Sequence, residues 1–106
     1  MSSAVIVTTT TDSEAAARAI ARAAVEERLA ARAHVTPVTS VYRWRGNVEE
    51  QAEWLCHLKT TPDQAQRLMA RIRALHAYEV PEILVTPLLS GYQPYLQWVA
   101  DNVGEV

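Results

Sequence analysis

The stretch VTSVYRWRGNVEEQAEWLCHLKTT, residues 38–61, decides the fold. Two β-rich runs flank Gly46-Asn47, which forms a two-residue turn of the kind that matches the twist of paired strands. Each arm has about thirteen residues, which at about 3.3 Å per residue span roughly 43 Å. A globular chain of 106 residues has a diameter of only roughly 33 Å. The pattern therefore predicts a hairpin that overhangs the body of its own domain.

An overhanging ribbon of two strands is marginally stable alone and exposes unpaired backbone groups along its edges. This ribbon also carries apolar and aromatic side chains, at Tyr42, Trp44, Val48 and Trp54. One interpretation is a bent hairpin that curls over its own helices. We favour a tip that joins the sheet of another subunit in a closed, symmetric homo-oligomer, with Tyr42, Trp44 and Trp54 at the interface.

The turn also predicts the pairing of the two arms. A simple turn at Gly46-Asn47 places Arg43 opposite Glu50 and Trp44 opposite Glu49, and a bulge would shift that register. Because Pro37 cannot donate a hydrogen bond to a ladder, the first arm is predicted to be an edge strand, or to be bulged or irregular at that point. The simplest role for the basic side chains of the hairpin is pairing with its glutamates, and anion binding between subunits is the alternative. The basic residues are Arg43, Arg45 and Lys59, and the glutamates are Glu49, Glu50 and Glu53.

Periodicity and capping signals predict five further elements. They are a central strand over 4–11, a helix over 13–33 that opens at a capping box of Thr11 and Glu14, a helix from Pro62 to about His76, a strand over 83–86 and a helix over 94–102. The order is βαββαβ followed by a C-terminal helix. Right-handed crossovers fold that order into an antiparallel sheet with two helices on one face, an α+β ferredoxin-like plait.

The composition bounds the class of protein. A chain of 106 residues, 49% hydrophobic and 21% charged, is typical of one soluble domain over residues 1–106. A net charge of −2 and no basic cluster recurring on one face argue against a nucleic-acid partner. The apolar stretches are too short to span a membrane, and no secretory signal opens the chain, so we expect a cytoplasmic location.

The loop after the second predicted helix holds the chemistry-bearing residues. His76, Tyr78, Glu79 and Glu82 could line a cleft there. His76 is either a cap at the helix C-terminus or a metal ligand together with Glu79 and Glu82. Two carboxylates beside a histidine could do acid–base work, although solvated loop charges are commoner. A Gly-rich phosphate loop, a nucleophile elbow and a His-Glu-x-x-His motif are missing from the sequence, and we expect no enzyme.

The second arm carries the single cysteine, Cys56. One cysteine excludes a disulfide framework or a Cys-rich zinc site within the chain. Because neighbouring residues of a strand point to opposite faces, Cys56 and His57 cannot form an adjacent metal pair. Cys56 is predicted to be a small buried hydrophobe. His34 is predicted to be polar surface or a minor ligand.

Four blocks carry a resemblance to a known family. VEERLAA (25–31), TSVYRWRGNVEE (39–50), LKTT (58–61) and YEVPEI (78–83), in this order, resemble the CutA family of divalent-cation tolerance proteins. The similarity runs from Val5 to about Val103. It implies a non-enzymatic ferredoxin-like homotrimer of PII-like architecture, whose long hairpins extend sheets between subunits. It also implies a link to copper tolerance and the binding of divalent cations.

The metal ligands that this resemblance implies are only partly present. Cysteine and histidine ligands of some members fall here on Thr8, Arg32 and Leu75, whereas His76 is kept. Copper favours thiolate and imidazole ligands, and one imidazole rarely holds a transition metal tightly. The resemblance thus implies weak binding of Cu²⁺ or another divalent cation, through His76 with Glu79 or Glu82 or through symmetry-related copies.

Two other functions stay open. The first is a PII-like regulatory module that binds a small anionic ligand in the cleft between subunits, lined by Tyr78, Glu79 and Glu82, and signals to a protein partner that the sequence does not identify. The second, which we favour least, is an enzyme that uses His76, Glu79 and Glu82.

Overall fold

The structure, a computed structural model, describes residues 3–105. Met1 and Ser2, on which the expectation of no secretory signal partly rests, and Val106 lie outside the described residues. Within residues 3–105 the chain forms four strands and three helices. In chain order they are β1 (Val5–Thr11), α1 (Glu14–Glu26), β2 (Arg32–Trp44), β3 (Asn47–Thr60), α2 (Ala65–Leu75), β4 (Ile83–Pro87) and α3 (Gln93–Asp101).

The strands form one antiparallel sheet in the order β2-β3-β1-β4. This order, with α1 and α2 packed on one face, confirms the predicted ferredoxin-like plait with its long β2–β3 hairpin and C-terminal helix. β2 is an edge strand, as Pro37 predicts. We call the sheet face that contacts α1 and α2 the helix face and the opposite one the open face. Neither α1 nor α2 covers the open face.

The helix face holds the main core. Side chains at alternate positions of β1 and β3, including Val7, Cys56 and Leu58, pack against Leu68 and Ile72 of α2. All five are essentially inaccessible to solvent. The prediction for Cys56 is confirmed, and burial raises the pKa of its thiol to about 11. A smaller apolar cluster joins α3 to the loops beside β1 and β2, through Ala4, Ala31, Leu96, Val99 and Val103.

The turn of the hairpin differs from the prediction. Arg45 and Gly46 occupy it, both with positive φ, 51° and 84°, and Trp44 pairs with Asn47. Positive φ at both central positions is the pattern of a type I′ turn, which favours glycine at the second of them. The predicted turn at Gly46-Asn47 is therefore wrong by one position. As a result, Arg43 lies opposite Val48 rather than Glu50.

The hairpin extends beyond the rest of the sheet. Among the described residues, Trp54–Thr60 of β3 pair with β1, and the outer part of β3 pairs with β2 alone. The molecule measures 45 × 25 × 21 Å along its principal axes. The predicted overhang is confirmed, since the register continues without a bulge from Arg32 to Trp44.

The first helix is shorter than predicted. Ser13 caps α1 by accepting a hydrogen bond from the Ala16 N–H at 3.1 Å, so the predicted cap at Thr11 is wrong. The helix ends at Glu26 rather than near residue 33. Arg28 has a positive φ of 60°, and its side chain donates to the carbonyl oxygens of Gly104 and Asp101. These long-range bonds hold the chain in a tight bend that the helical spacing of the alanines does not reveal.

Candidate functional site

A cleft of about 590 Å³ lies between the outer half of the hairpin and the loop that joins α2 to β4. The hairpin contributes mainly open-face side chains, since Tyr42, Trp44 and Glu53 share that face by strand alternation. The loop contributes Tyr78, Glu79, Val80 and Glu82. The structure therefore brings three predicted cleft residues (Tyr78, Glu79 and Glu82) together with two residues predicted for an oligomer interface (Tyr42 and Trp44).

His76 holds this loop against β1. Its Nε2 lies 2.7 Å from the carbonyl oxygen of Thr10, and its Nδ1 accepts the backbone N–H of Tyr78 at 3.1 Å. Because a carbonyl only accepts and Nδ1 is already an acceptor, the proton lies on Nε2 of a neutral ring. The two rings of His76 and Tyr78 are 4.8 Å apart between centroids. His76 thereby links β1 to the residues that line the cleft.

This arrangement does not fit a metal site made of His76, Glu79 and Glu82 in one chain. Both ring nitrogens of His76 are engaged, and a metal ligand needs a free nitrogen lone pair. Residues 3–105 contain no group of three or more His, Cys, Asp or Glu side chains that could hold a metal ion. A metal would have to displace a hydrogen bond that positions the loop.

Glu53 is a buried carboxylate that sequence reasoning did not assign to the cleft. Its side chain is 6% exposed and accepts the Tyr78 hydroxyl at 2.6 Å. Hydrogen bonds from a hydroxyl to a carboxylate are short and strong. Burial, and then the neighbouring Glu53 carboxylate, raise the pKa of Tyr78 far above its ordinary value. The hydroxyl therefore stays protonated and remains the donor.

The tip of the hairpin contacts the same loop. Arg45 pairs with Glu79 at 3.0 Å, with both side chains about 70% exposed (71% and 69%), and such exposed pairs contribute little to stability. The guanidinium of Arg45 also lies over the Trp44 ring, 5.3 Å from its centroid. In the described part of the chain, Arg43, Arg45 and Lys59 do not form ion pairs with hairpin glutamates. The prediction of such pairing is wrong, because the observed register places Arg43 opposite Val48 and Arg45 lies in the turn, where it pairs with Glu79 of the loop.

The three aromatic residues predicted at an oligomer interface lie in different environments. Tyr42 and Trp44 are partly exposed at the tip, where the Tyr42 hydroxyl donates to Oε1 of Gln51 at 2.9 Å. Trp54 is partly buried and packs against the core of its own chain. A subunit contact through Trp54 is untested, whereas its part in the core is established.

The open face also carries a basic cluster near the base of the hairpin. Arg32 lies opposite Lys59, and His34 lies opposite His57. We call these four residues the basic quartet. One arginine and one lysine in this cluster remain short of the several convergent Lys or Arg side chains that a nucleic-acid partner requires. The residues alternate along each strand, but only the register between β2 and β3 places the two pairs side by side.

Comparison with known proteins identifies the family. The sequence model of the family described as CutA1 divalent ion tolerance protein matches residues 5–102 of this chain. The chain belongs to this family. A curated relative, the divalent-cation tolerance protein CutA of Thermus thermophilus, is 47% identical over 100 residues, which are 93% of this chain and 97% of the relative. Vertebrate CutA relatives are longer, and the chain spans about half (51%) of the human, bovine and mouse proteins.

Solved CutA structures share the fold along nearly the whole chain. The divalent cation tolerance protein Cut A1 from Thermus thermophilus superposes with a TM-score of 0.92 at 46% identity, covering 95% of this chain and 99% of that one. The structure described as the periplasmic divalent cation tolerance protein CutA from Archaeoglobus fulgidus has a TM-score of 0.92 at 27% identity, with the same coverage.

The CutA positions that the resemblance linked to metal ligands carry side chains unsuited to copper in this structure. Thr8 lies on the open face opposite His57, Arg32 belongs to the basic quartet, and Leu75 ends α2 and is partly exposed. A fixed cation at Arg32 repels a metal, and neither Thr8 nor Leu75 offers a thiolate or an imidazole. In this CutA chain these positions do not supply a copper site.

The basic quartet makes the stability of the protein depend on pH. Lys59 is the largest cause that lowers the pKa of His34 below its ordinary 6.5, followed by burial, Arg32 and His57. At pH values below 6.5, His34 of the unfolded chain takes up a proton that His34 of the folded chain resists. The contribution of His34 to stability is therefore present above pH 6.5 and is lost on acidification. We expect the free energy of unfolding to fall between pH 7.5 and 5, and to fall less in a His34→Gln variant.

Urea unfolding at several pH values, in buffer without phosphate, measures this dependence. The difference in slope between the parent and His34→Gln isolates the contribution of this one ring. Identical slopes in the two proteins would show that the quartet does not resist protonation of His34.

Proposed function

We propose that the protein is a non-enzymatic divalent-cation tolerance protein that works as a homotrimer and binds Cu²⁺ or another divalent cation weakly. The observation that carries this proposal is the CutA1 family match over residues 5–102. The alternative of a PII-like regulatory module is favoured by no specific observation in the cleft. The described helices are all too short or too polar to cross a membrane.

The exposed tip of the hairpin supports the trimer. Val41 is 63% exposed and Val48 66% exposed on one face of the tip, and the partly exposed Tyr42 and Trp44 lie on its other face. The outer edge of β2 also presents backbone groups without a neighbouring strand in the described chain. Edge strands and apolar ribbons of this kind are stabilised when another chain covers them. Threefold closure would cover the tip of each copy without leaving an open end.

Weak cation binding follows from the donor set of the cleft. Glu79 and Glu82 present carboxylates that are exposed at the cleft, while both nitrogens of His76 are engaged. Carboxylates without thiolate or imidazole bind copper less strongly than mixed sites do. We therefore assign the weak binding to Glu79 and Glu82, with further ligands from a second copy of the chain. His76 holds the loop that carries both carboxylates but does not bind the cation.

Calorimetric titration of Cu²⁺ into the purified protein tests this assignment. We expect weak binding that a Glu79→Gln/Glu82→Gln variant loses and that a Glu50→Gln control retains. Glu50 is exposed on β3 and does not line the cleft. Binding by the parent that survives in the double variant would contradict the assignment, and no heat from the parent would contradict cation binding itself.

The location that we propose is the cytoplasm. The free, buried Cys56 is compatible with a reducing compartment but does not require one. Fractionation of cells that express the protein, with markers for each compartment, tests this location.

A further inference from the structure

The basic quartet holds two fixed positive charges, on Arg32 and Lys59, beside two histidines, and the cation-binding function does not use it. In the β2–β3 ladder, Arg32 faces Lys59 and His34 faces His57. Side chains directly opposite each other in an antiparallel pair have Cβ atoms about 4.5–5.5 Å apart, and like charges in such positions are destabilising. His57 and Lys59 are half-buried, so the sheet limits how far the charges can separate.

No carboxylate of the described chain neutralises the quartet. The ion pairs of residues 3–105 involve other arginines, namely Arg18, Arg22, Arg45 and Arg71. The side chains that act electrostatically on His34 are Lys59, Arg32 and His57, all of which are basic. A folded chain that keeps these groups adjacent gains stability if an anion binds between them.

The hydrogen-bonding groups of the quartet are suited to oxygen acceptors. The Nζ atom of Lys59 lies 2.9 Å from Nδ1 of His34. Since an ammonium group only donates, Nδ1 accepts and the proton of the neutral ring lies on Nε2, as a further donor. Thr8 of β1 lies beside His57 on the same face and adds a hydroxyl group. The guanidinium of Arg32 can form two parallel hydrogen bonds to one oxyanion.

The same groups exclude other ligands. The fixed positive charges of Arg32 and Lys59 oppose the binding of a metal ion by the two histidines. Four residues on two neighbouring strands cover far less surface than the extended basic stripe that a nucleic-acid backbone needs. A small ion with several acceptor oxygens and a double negative charge satisfies the donors and neutralises the charge.

We propose that the basic quartet binds a small oxyanion of the phosphate class on the open face of the sheet. This site is separate from the cleft and does not depend on cation binding. The shared chemistry is an anionic oxygen group, which could also be a carboxylate of a second copy of the chain. We assign the site to the free ion. The variants described below distinguish it from a carboxylate of a second copy.

Titration of the full chain with inorganic phosphate, followed by NMR of the histidine ring protons, tests the proposal. The chain has three histidines. We expect the resonances of His34 and His57 to move saturably, whereas those of His76, whose ring is bonded within the chain, stay in place. Sodium chloride at matched ionic strength controls for screening. No movement, or the same movement with chloride, overturns the proposal.

Variants then separate the free ion from a second copy. We expect Arg32→Gln to weaken phosphate binding at least about tenfold, because a charge-assisted contact is lost. Without phosphate, relief of repulsion should raise its melting temperature while the mass of the assembly is unchanged. Arg22→Gln, an exposed change on α1, should leave phosphate binding unaltered. Lys59→Gln is the second variant should Arg32→Gln fold poorly.

If a carboxylate of a second copy occupies the quartet instead of a free ion, the expected result is different. Arg32→Gln and Lys59→Gln would then lower both the melting temperature and the mass of the assembly in phosphate-free buffer, and phosphate would not bind to the intact parent. That outcome overturns the assignment to a free ion. Retained phosphate affinity in both variants would overturn the role of the quartet.

Discussion

Replacing Trp44 with alanine is expected to dissociate the proposed trimer and to lower the melting temperature of the protein. In the single chain, Trp44 is 39% exposed at the tip of the hairpin, on the open face, whereas the exposed Val41 and Val48 lie on the opposite face of the tip. If the tip packs against another copy, the indole becomes a buried aromatic anchor. Truncation of such an anchor costs about 2–5 kcal/mol in stability or binding, which is enough to shift an assembly to monomers.

Light scattering and sedimentation velocity at micromolar concentrations measure the mass. Trp98→Ala is the matched control, because Trp98 is similarly exposed at 43% but lies on α3, stacked on Tyr95. We expect the control to remain a trimer. A Trp44→Ala protein with the mass and melting temperature of the parent would refute a buried role for this side chain, and a parent that is itself monomeric would refute the proposed trimer.

Removing the hydroxyl group of Tyr78 is expected to have the second largest effect. Tyr78→Phe keeps the ring, so little cavity forms, but it leaves the buried Glu53 carboxylate without the donor at 2.6 Å. Loss of one partner of a buried, charge-assisted hydrogen bond costs about 1.5–3 kcal/mol. We expect the free energy of unfolding to fall by this amount at neutral pH.

Urea unfolding measures this cost, and a double-mutant cycle with Glu53→Gln gives the coupling between the two side chains. Tyr42→Phe is the matched control. It removes a hydroxyl group that donates to Gln51 at an exposed position, where we expect a change of less than about 0.5 kcal/mol. Equal costs for the two Tyr→Phe changes would show that Glu53 does not depend on Tyr78.

Local signals were sufficient to predict the architecture. The alternation along the two arms, Pro37 in the first arm and the spacing of apolar residues in the helices predicted the βαββαβ order and the edge strand that the structure contains. These features depend on residues close together in sequence, whose side chains select a helical or an extended backbone with little help from the rest of the chain.

The details that failed depend on small differences in local energy. A turn at Arg45-Gly46 and a turn at Gly46-Asn47 both place glycine at a position with positive φ, and the sequence offers little to distinguish them. The displacement by one position changes the cross-strand partner of Arg43, although it leaves the side chains on their predicted faces. The predicted pairing of Arg43 with Glu50 failed for this reason.

The sequence by itself determined the length of the hairpin, the order of the elements and the loop that carries Tyr78, Glu79 and Glu82. The tertiary structure alone decided which polar groups satisfy one another: Tyr78 with Glu53, and His76 with Thr10. It also assembled the basic quartet from two strands. Strand alternation and capping act between near neighbours, whereas these contacts join residues that are distant along the chain. Their formation depends on the register and on the path of a loop, which no local pattern specifies.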